Sequence, residues 1–368
     1  MREGYVRKSI SEICDKASSN IAQNKIADIN GDYPVYGASG YVQNVDFYHR
    51  DTDYIGIVKD GSGVGRVNVY PAYSSLLGTM QYIIPKDGYL LGYVAYALKG
   101  LNLSSFASGA AIPHIYFKDY GKCKIDVPPL SEQQRIVSEL DLLSSIIEKK
   151  KAQLKEYDKL AQSIFYDMFG DPVENPKGWE VKKLGEVCSK ISDGVHAKPK
   201  YTESGMPFIS VVNINKRYLD FDNCKFVSYE DGEIINKRSK PQRNDVLYTK
   251  VGATYGIPAL VDTDKDFCLY VSVCLIKPLH EIIDSVFLSN MMALPYVKNQ
   301  ADERIKGIGV PDLHLNQISA FNIILPPLPL QQSFASKIEA IERQKALIQQ
   351  SITEVQMLFD SRMDAWFA

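Results

Sequence analysis

The chain has few of the residues that build metal sites, disulfide frameworks and membrane spans. Its 368 residues include six cysteines and five histidines, and the cysteines form no C-x-x-C pair or other spacing that suits zinc. Buried free thiols are therefore expected, in a reducing cytoplasm. No stretch approaches the roughly 18 consecutive apolar residues of a membrane helix. The first twenty residues lack the apolar core of a signal peptide, so none is expected.

The chain also lacks an excess of positive charge. Its formal net charge is −2 and its pI is about 6.3. Binding of DNA would therefore require basic residues to be segregated on one part of the surface. Residues 177–250 hold 14 Lys and Arg against 10 Asp and Glu, whereas residues 1–126 hold 13 against 12. Within the first of these regions, "NKRSKPQR" (residues 236–243) is the densest cluster of positive charge.

Signatures of common catalytic sites are missing as well. The sequence contains no G-x-S-x-G and no H-E-x-x-H. The glycine-rich "DGSGVGRV" (residues 60–67) has Arg66-Val67 where a P-loop needs Lys and then Ser or Thr. The strand-like "VNVY" follows it, where a dinucleotide-binding fingerprint needs a helix. A hairpin turn is the favoured interpretation, and no catalytic residue is predicted.

An internal repeat runs through most of the chain, which is long enough for roughly two to four domains. A shift of 198 positions aligns "PPLSEQQ" (residues 128–134) with "PPLPLQQ" (residues 326–332). Nearer the start, "RKSISEICDK" (residues 7–16) aligns with "VKKLGEVCSK" (residues 181–190) at a shift of 174. The two shifts differ by 24, so 24 extra residues are expected in the middle of the second copy.

Each copy ends in a segment with the heptad period of a coiled coil, interrupted at Lys150 and Lys345. Proline cannot lie inside a helix, so each helix should begin after its Pro-Pro pair, and Gly170-Asp171-Pro172 should end the first. About 40 residues at 1.5 Å each give a rod on the order of 60 Å. The predicted coiled-coil and subunit-docking residues are Ile136, Leu140, Leu143, Ile147, Leu154, Ile338, Ile341, Ile348, Ile352 and Val355.

An exposed apolar stripe requires each helix to have a partner. The two helices of one chain can pair antiparallel, which would carry the globular segments to opposite ends with approximate two-fold symmetry. Alternatively, each helix pairs with another copy in a coiled-coil homodimer. The matching seams within one chain favour the intrachain pair.

The globular segments are predicted to be mostly β, with short helices. "DYIGIVKDGSGVGRVNVY" and "VLYTKVGATYGIPALV" each indicate two strands around a glycine-rich turn, and "CLYVSVCLIKP" shows a similar pattern. Short helices are expected at residues 9–17 and 184–191, with Cys14 and Cys188 on their apolar sides. The predicted fold class is therefore α+β: two mostly-β domains in pseudo-two-fold arrangement, separated by an antiparallel two-helix coiled coil.

Three features together resemble the specificity subunits of type I restriction–modification systems. They are "GWEVKKLGEVCSKISDGVHAKPKYTESGMPFISVVNI" (residues 178–214), "DYPVYGASGYV" (residues 32–42), and the repeated helix entry "PPLSEQQ" and "PPLPLQQ" after "IPHI" and "VPDL". Together they cover essentially the full length. The second helix entry departs from the first by having Pro329-Leu330 in place of Ser131-Glu132, which removes a capping pattern.

The resemblance implies a non-catalytic subunit that recognises a bipartite, asymmetric target in double-stranded DNA. Residues 1–126 and 171–325 would be target-recognition domains, each reading one half-site. Residues 127–170 would form the central coiled-coil helix and residues 326–368 the C-terminal one. The expected partners are modification subunits, two in number, which methylate adenine, and restriction subunits. S-adenosylmethionine, ATP and Mg would be bound by those partners, and this chain would bind no cofactor and no metal.

The candidate DNA contacts are basic, polar and tyrosine residues on predicted loops, because such side chains bind phosphates and base edges. The basic residues Lys118, Lys122 and Lys124 of the first segment are further candidates. Any one cluster alone is more often a solvated loop than a phosphate site, and only together do the clusters form a contact set. The candidates are Tyr36, Ser39, Tyr41, Lys59, Arg66, His196, Lys198, Lys200, Lys216, Arg217, Lys237, Arg238, Lys240, Arg243, Lys250, Thr254 and Tyr255.

Two other functions stay open at the level of sequence. One is the recognition subunit of a combined restriction–methylation enzyme outside type I, which the neighbouring genes would distinguish. The other is a coiled-coil adaptor without a DNA role, which methylation profiling of the host genome would distinguish.

Overall fold

The computed structural model describes residues 4–109, 112–215, 217–305 and 309–367. The chain forms two compact units, Met1–Ala152 with Ile348–Ala368, and Gln153–Leu347. Each unit contains one globular segment and part of each of two long helices. The elements of the first segment are β1 (Val6–Ser9), α1 (Ile10–Ile13), β2 (Cys14–Ser18), α2 (Gln23–Ile26), β3 (Tyr33–Gly37), β4 (Gly40–Val45), β5 (Tyr54–Val58), β6 (Val67–Tyr70), β7 (Ser75–Leu76), β8 (Met80–Pro85), α3 (Leu91–Gly100), α4 (Phe117–Tyr120) and β9 (Lys124–Val127).

The first long helix, α5 (Leu130–Phe169), follows that segment, and the second, α10 (Leu328–Phe367), follows the second segment. Short 3-10 helices lie at Leu103–Phe106, Leu184–Val187 and Val211–Asn213. The elements of the second segment are β10 (Glu180–Lys183), β11 (Cys188–Asp193), β12 (Met206–Ile209), β13 (Ile214–Asn215), β14 (Tyr218–Leu219), β15 (Lys225–Val227), α6 (Tyr229–Ser239), β16 (Val246–Thr249), β17 (Pro258–Leu260), β18 (Cys268–Leu269), β19 (Val273–Pro278), α7 (Ser285–Met292), α8 (Pro295–Arg304), α9 (Leu315–Ser319) and β20 (Asn322–Leu325).

The two segments share their sheet topology. The larger sheet has the strand order β2-β8-β5-β6 in the first segment and β11-β19-β16-β17 in the second, and all neighbouring strands are antiparallel. The smaller sheet has the order β4-β3-β7 in the first and β15-β12-β18 in the second, and its last pair is parallel in both. The predicted α+β class and the internal repeat are confirmed by this common plan.

A two-stranded ribbon closes each segment. In the first, β1 pairs antiparallel with β9, so that Val6 lies opposite Val127. In the second, β10 pairs antiparallel with β20, so that Glu180 lies opposite Leu325. The chain therefore enters and leaves each segment at neighbouring points, and a long helix follows directly.

The short helices at the start of each segment are much shorter than predicted. The first, α1, ends at Ile13, and Cys14 begins β2, while Leu184–Val187 forms a single 3-10 turn before β11 begins at Cys188. The backbone N–H of Ser9 donates to the carboxylate of Glu12 at 2.7 Å, and Lys183 donates to Glu186 at 2.5 Å, so the repeated Glu satisfies the start of each turn. The prediction of helices over 9–17 and 184–191 was wrong because pairing of β2 and β11 with the central sheet prevails over local helical periodicity.

The two long helices run antiparallel in each unit. In the first unit Glu139 of α5 accepts a bond from Arg362 of α10 at 2.7 Å, and Arg135, one turn earlier, lies over the ring of Trp366, one turn later. In the second unit Lys345 of α10 lies 2.8 Å from Asp158 of α5. The predicted intrachain antiparallel pairing is thus observed within each unit.

Most of the predicted seam residues lie in the cores of the units. Leu154 and Val355 are half-buried, whereas the other eight predicted positions are buried. Towards its end, α5 buries Phe165 and Phe169, which the predicted heptad pattern did not include, and their rings pack on Phe334 of α10 and Phe287 of α7. The seam therefore changes near the end of α5 from heptad packing to packing around an aromatic cluster.

The repeated helix entry is explained by a buried glutamine. Gln133 accepts a bond from the N–H of Leu90, at the start of α3, at 2.9 Å, and donates to the carbonyl of Pro128 at 3.0 Å. Its counterpart Gln331 accepts from the N–H of Asp284, at the start of α7, at 2.9 Å and donates to Pro326 at 2.7 Å. This glutamine thus ties the first turn of each long helix to the first turn of the helix that packs beside it. In contrast, Ser131 lies within the first turn of α5 and is exposed.

Candidate nucleic-acid interface

The two segments carry glycine-rich loops that are built alike, and we call them the Lys-Gly loops. The first, residues 59–66, joins β5 to β6, and the second, residues 250–257, joins β16 to β17. Each reads K-x-G-x-x-x-G, and the two glycines of this pattern have left-handed backbone angles in both loops, which would strain other residues. Three backbone hydrogen bonds match between the loops. The lysine N–H donates to a carbonyl at 3.0 Å in both, from Lys59 to Thr79 and from Lys250 to Ser272. The first glycine N–H donates to a proline carbonyl at 2.9 Å (Gly61 to Pro113, Gly252 to Pro311), and the last glycine N–H donates to the preceding strand at 2.8 Å (Gly65 to Val58, Gly256 to Thr249).

The Lys-Gly loops are equivalent at an offset that the sequence comparison missed. Lys59 and Lys250 are 191 positions apart, between the offsets of 174 and 198 found at the ends of the repeat. The 24 extra residues of the second copy are therefore split, with 17 before the loop and 7 after it. Part of the larger insertion forms the β13–β14 hairpin, which lies between β12 and β15, whereas β3 and β4 are joined directly through residues 38–39. The hairpin turn predicted for residues 60–67 is confirmed by the antiparallel pairing of β5 with β6.

In the first segment the structure brings four of the candidate DNA contacts together. The guanidinium of Arg66 donates to the carbonyl of Ala38, in the β3–β4 turn, at 3.0 Å. Tyr36, Ser39 and Tyr41 lie on either side of that carbonyl in the chain. Arg66 and Ser39 are exposed, and Tyr41 exposes 63% of its surface, while Tyr36 is half-buried against neighbouring rings.

The remaining candidate of this loop, Lys59, is half-buried and paired. Its ammonium lies 3.5 Å from the carboxylate of Asp60, which also contacts Nδ1 of His114. His114 packs on the exposed Tyr116, and the ammonium of Lys118 lies 5.0 Å from the Tyr116 ring centroid. The first Lys-Gly loop therefore has an exposed arginine on one side and an exposed aromatic and basic pair on the other. The further candidates Lys122 and Lys124 are also exposed.

In the second segment three of the candidate DNA contacts lie against one buried carboxylate. Asp193, at the end of β11, is 3% exposed, and its Oδ1 accepts from Arg238 at 2.9 Å and lies 3.3 Å from His196. Its Oδ2 lies 3.6 Å from the ammonium of Lys250, which is itself buried and lies 3.5 Å from Asp312. Asp193 was not predicted from the sequence, because its partners are distant in the chain.

Most of the other candidates in the second segment make contacts within the protein. Lys240 pairs with Asp266 at 2.8 Å, and Arg243 binds both carboxylate oxygens of Asp264 at 2.8 and 2.7 Å. Lys198, Lys200, Lys237 and Thr254 are exposed, Tyr255 donates to Asp302 at 2.5 Å, Arg217 donates to Ser289 and Asn290 of α7, and Lys216 lies outside the described residues.

The paired charges differ in their ability to bind a phosphate. Exposed ion pairs such as Lys240–Asp266 and Arg243–Asp264 contribute little to stability, because water screens them, so a phosphate can take the place of the carboxylate. Lys250 lacks that freedom because its ammonium is buried between two carboxylates. The geometry therefore favours Arg66, Lys198, Lys200, Lys237 and Arg243 over Lys59 and Lys250 as phosphate contacts.

Metal-ligating side chains and thiols occur throughout the described ranges. Within them, no group of three or more His, Cys, Asp and Glu side chains could hold a metal ion. Burial raises the pKa of both the Cys14 and the Cys188 thiol to about 12, so these thiols stay protonated at neutral pH and are poor nucleophiles. Among the described residues, no helix has the length and apolar character needed to cross a membrane.

The fold defines a duplicated α+β protein in which each repeat is a β-rich segment followed by a long helix. A family model described as the type I restriction modification DNA specificity domain matches residues 2–156 and 176–357, so each match covers one segment and most of its helix. The chain belongs to this family of DNA specificity domains. The resemblance stated from the sequence is confirmed.

Curated relatives and a solved structure agree with this assignment. The chain is 27% identical over 299 residues to the type I restriction enzyme MjaIX specificity subunit of Methanocaldococcus jannaschii, covering 70% of this chain and 64% of that protein. It is 22% identical over 328 residues to the MjaVIII specificity subunit of the same organism, covering 82% and 75% respectively. The chain thus spans less than two thirds of the first relative's length.

The crystal structure of the type I restriction–modification S subunit from M. genitalium shares the fold. The TM-score is 0.62 at 14% sequence identity, over 99% of this chain and 96% of that one. At 14% identity, this comparison shows a shared fold and says nothing about function.

Proposed function

We propose that the chain is the non-catalytic specificity subunit of a type I restriction–modification complex. Each segment reads one half-site of a bipartite DNA target. The observation that carries this proposal is the pair of Lys-Gly loops, which have the same backbone hydrogen bonds in both segments while their surroundings differ. A shared loop beside unlike side chains is the arrangement expected when two domains approach the DNA backbone alike and read different bases.

The unlike surroundings support an asymmetric target. Beside the first Lys-Gly loop stand the exposed Arg66, Ser39 and Tyr41, and beside the second stand His196 and Arg238 around the buried Asp193. Arginine and serine on exposed loops can donate to guanine or other base edges, whereas the second set presents a different array of donors. The two half-sites are therefore proposed to differ in sequence.

The partners follow from the family rather than from contacts of this chain. We propose that modification subunits, two in number, bind the chain and methylate adenine with S-adenosylmethionine. Restriction subunits that use ATP and Mg join the same complex, and this chain binds none of these cofactors. Because its proposed substrate is chromosomal DNA, the chain is proposed to act in the cytoplasm.

Methylation profiling tests the proposed function. The chain is co-expressed with a type I modification subunit from its own organism in a host free of adenine methylation, and the methylated motif is read by single-molecule sequencing. One split motif with unlike halves is expected, and it should disappear when this chain is omitted. A motif that persists without the chain, or a continuous motif, would overturn the proposal.

Substitution of Arg66 assigns a half-site to a segment. Arg66→Ala should weaken or relax only one half of the motif, because Arg66 belongs to the first segment. The matched control is Arg7→Ala, an exposed arginine of the closing ribbon that pairs with Asp126 at 3.2 Å and lies outside the Lys-Gly loop. Equal effects of Arg66→Ala on both half-sites would contradict one segment per half-site.

A further inference from the structure

The β13–β14 hairpin of the second segment forms part of the larger insertion relative to the first segment. It lies between β12 and β15, and Ile214 pairs with Leu219 and Asn215 with Tyr218. In the first segment β3 ends at Gly37 and β4 begins at Gly40. We call the β13–β14 element the brace hairpin, because it contacts both the core of the segment and the long helices.

One side of the brace hairpin belongs to the core of the second segment. Ile214 is fully buried in a cluster with Leu247 and Val273, which lie on the central strands β16 and β19, and Leu219 packs against the same cluster. The side-chain amide of Asn213 donates to the carbonyl of Asp220 at 3.4 Å and thereby ties the two ends of the hairpin together. The hairpin is therefore a firmly held part of the segment.

The other side of the brace hairpin contacts the long helices. The hydroxyl of Tyr218 donates to Glu342 of α10 at 2.7 Å, and the ammonium of Lys345 lies 5.4 Å from the Tyr218 ring centroid. Lys345 itself binds Glu342 at 3.0 Å and Asp158 of α5 at 2.8 Å. One tyrosine is thus connected through Lys345 to both helices.

Arg217 connects the brace hairpin to α7, another element of the second segment. Its left-handed backbone angle of φ 70° is unusual for a residue other than glycine, and its guanidinium donates to Asn290 of α7 at 3.1 Å. Burial lowers the pKa of this guanidinium, against the opposing effect of the Glu342 and Asp158 carboxylates. Two acidic and two basic groups therefore balance around the brace hairpin.

Lys345 occupies a seam position of the coiled coil where an apolar residue would pack more simply. Its side chain is 14% exposed, so its charge is retained only because the carboxylates and the tyrosine surround it. Burial lowers the pKa of Lys345, but hydrogen bonds with Asp158, Tyr218 and Glu342 outweigh burial and raise it overall. A charged residue at the seam is accounted for by its contact with the brace hairpin.

We propose that the brace hairpin is a positioning element that holds the second recognition segment at a fixed place on the helix pair, and so restricts the gap at which the second half-site can be read. Tyr218, Lys345 and Arg217 are its positioning residues. This inference rests on the proposed DNA-reading function and assigns no base contact to the hairpin.

The test measures gap tolerance on a plasmid library. The library carries both half-sites separated by gaps of every length near the natural one, in cells that express the chain with its modification subunit. The wild-type chain should methylate one gap length. For Tyr218→Ala, methylation of gaps one base pair longer or shorter should rise roughly tenfold relative to the natural gap, the factor that corresponds to about 1.4 kcal/mol. The half-site sequences should stay the same.

Milder variants and matched controls keep the test decisive. Tyr218→Phe removes the hydroxyl and its bonds with Glu342 and Lys345 but keeps the ring, and Lys345→Met keeps the seam filled, so both should fold and widen the gap tolerance less than Tyr218→Ala. Tyr229→Ala, at a tyrosine that is 67% exposed, and Lys159→Met, at a lysine paired only within α5, should leave the gap distribution unchanged.

The outcomes separate the two proposals. If the wild-type chain supports no methylation, the proposed function fails. If it methylates one split motif and all three brace variants keep the wild-type gap distribution, the brace is wrong while the function stands. A changed half-site sequence with an unchanged gap would also overturn the brace, because it would make the hairpin a base-reading element.

Discussion

At the scale of single residues, the two buried glutamines of the helix entries make the contacts that hold each long helix to its neighbour. The prolines are the part of the motif that is easiest to recognise in the sequence, but they make fewer such contacts. Replacing Gln133 or Gln331 with Ala leaves the first N–H of a packed helix and a proline carbonyl without their partner. Each change should lower the free energy of unfolding by about 1–3 kcal/mol. Urea denaturation followed by circular dichroism measures the loss. The exposed neighbours provide the controls, and Gln134→Ala or Gln332→Ala with an equal effect would contradict the explanation.

Asp193 and Lys250 lead to a second prediction at this scale. Asp193→Asn removes one of the two carboxylates that face the buried Lys250 ammonium and leaves Asp312 as the other, so the free energy of unfolding should fall by up to about 3 kcal/mol. The double change Asp193→Asn with Lys250→Met should recover most of that loss, because no unpaired charge then stays buried. The control is Arg238→Gln, which removes the exposed partner of the same carboxylate. It should lower the free energy of unfolding less than Asp193→Asn does. An Asp193→Asn variant as stable as the wild type in urea would rule out the pair as a stabilising contact.

The basic residues of the second segment show what sequence reasoning can and cannot find. The density of charge in residues 236–243 is visible in the sequence, but the acidic partners of Arg238, Lys240 and Arg243 come from residues 193, 266 and 264. Pairing depends on the fold, so composition alone overstates the free positive charge. Asp193 was missed for the same reason. Its one local signal was His196, three residues away.

At the scale of elements, the Lys-Gly loops predict unequal effects of similar glycine substitutions. Gly61 and Gly65 both have left-handed backbone angles, but a methyl group on Gly61 would meet open space, whereas one on Gly65 would overlap the backbone of Ser104. Gly61→Ala should therefore cost about 1–2 kcal/mol. Gly65→Ala should cost about 1–3 kcal/mol more. Hydrogen exchange of the β5 and β6 amides measures the difference, and equal protection in both variants would contradict it.

The positions of the two long helices could be predicted from the sequence, whereas the positions of the insertions in the second segment could not. Heptad periodicity and the Pro-Pro and Gly-Asp-Pro boundaries are local signals, so α5 was expected to end at Gly170, and it ends at Phe169. The short helices at Cys14 and Cys188 were over-predicted because their strand partners, β8 and β19, lie far along the chain. The equivalence of the Lys-Gly loops was hidden because few of their residues besides Lys and Gly coincide.

At the scale of the whole molecule, the antiparallel helices are proposed to set the gap between the half-sites. Deleting one heptad from each helix, residues 149–155 and 347–353, keeps the apolar seam on the same face. It should shorten the helix pair by about 10 Å and the gap in the methylated motif by about three base pairs. Methylation profiling of the deletion variant measures the new gap, with both half-sites expected unchanged. A gap that stays at its natural length would show that the helices do not set it.

The closing ribbons have a consequence for the gene. Because the first and last strands of each segment are hydrogen-bonded to each other, everything between them can be exchanged as a cassette whose two junctions are adjacent in space. Recombination at the repeated "PPL" helix entries and at the matching upstream stretches would therefore exchange a complete globular segment. Neither long helix would change in sequence. Under the proposed function, new combinations of half-sites would thus arise in one genetic step, while the long helices, which are proposed to contact the partner subunits, keep their sequence.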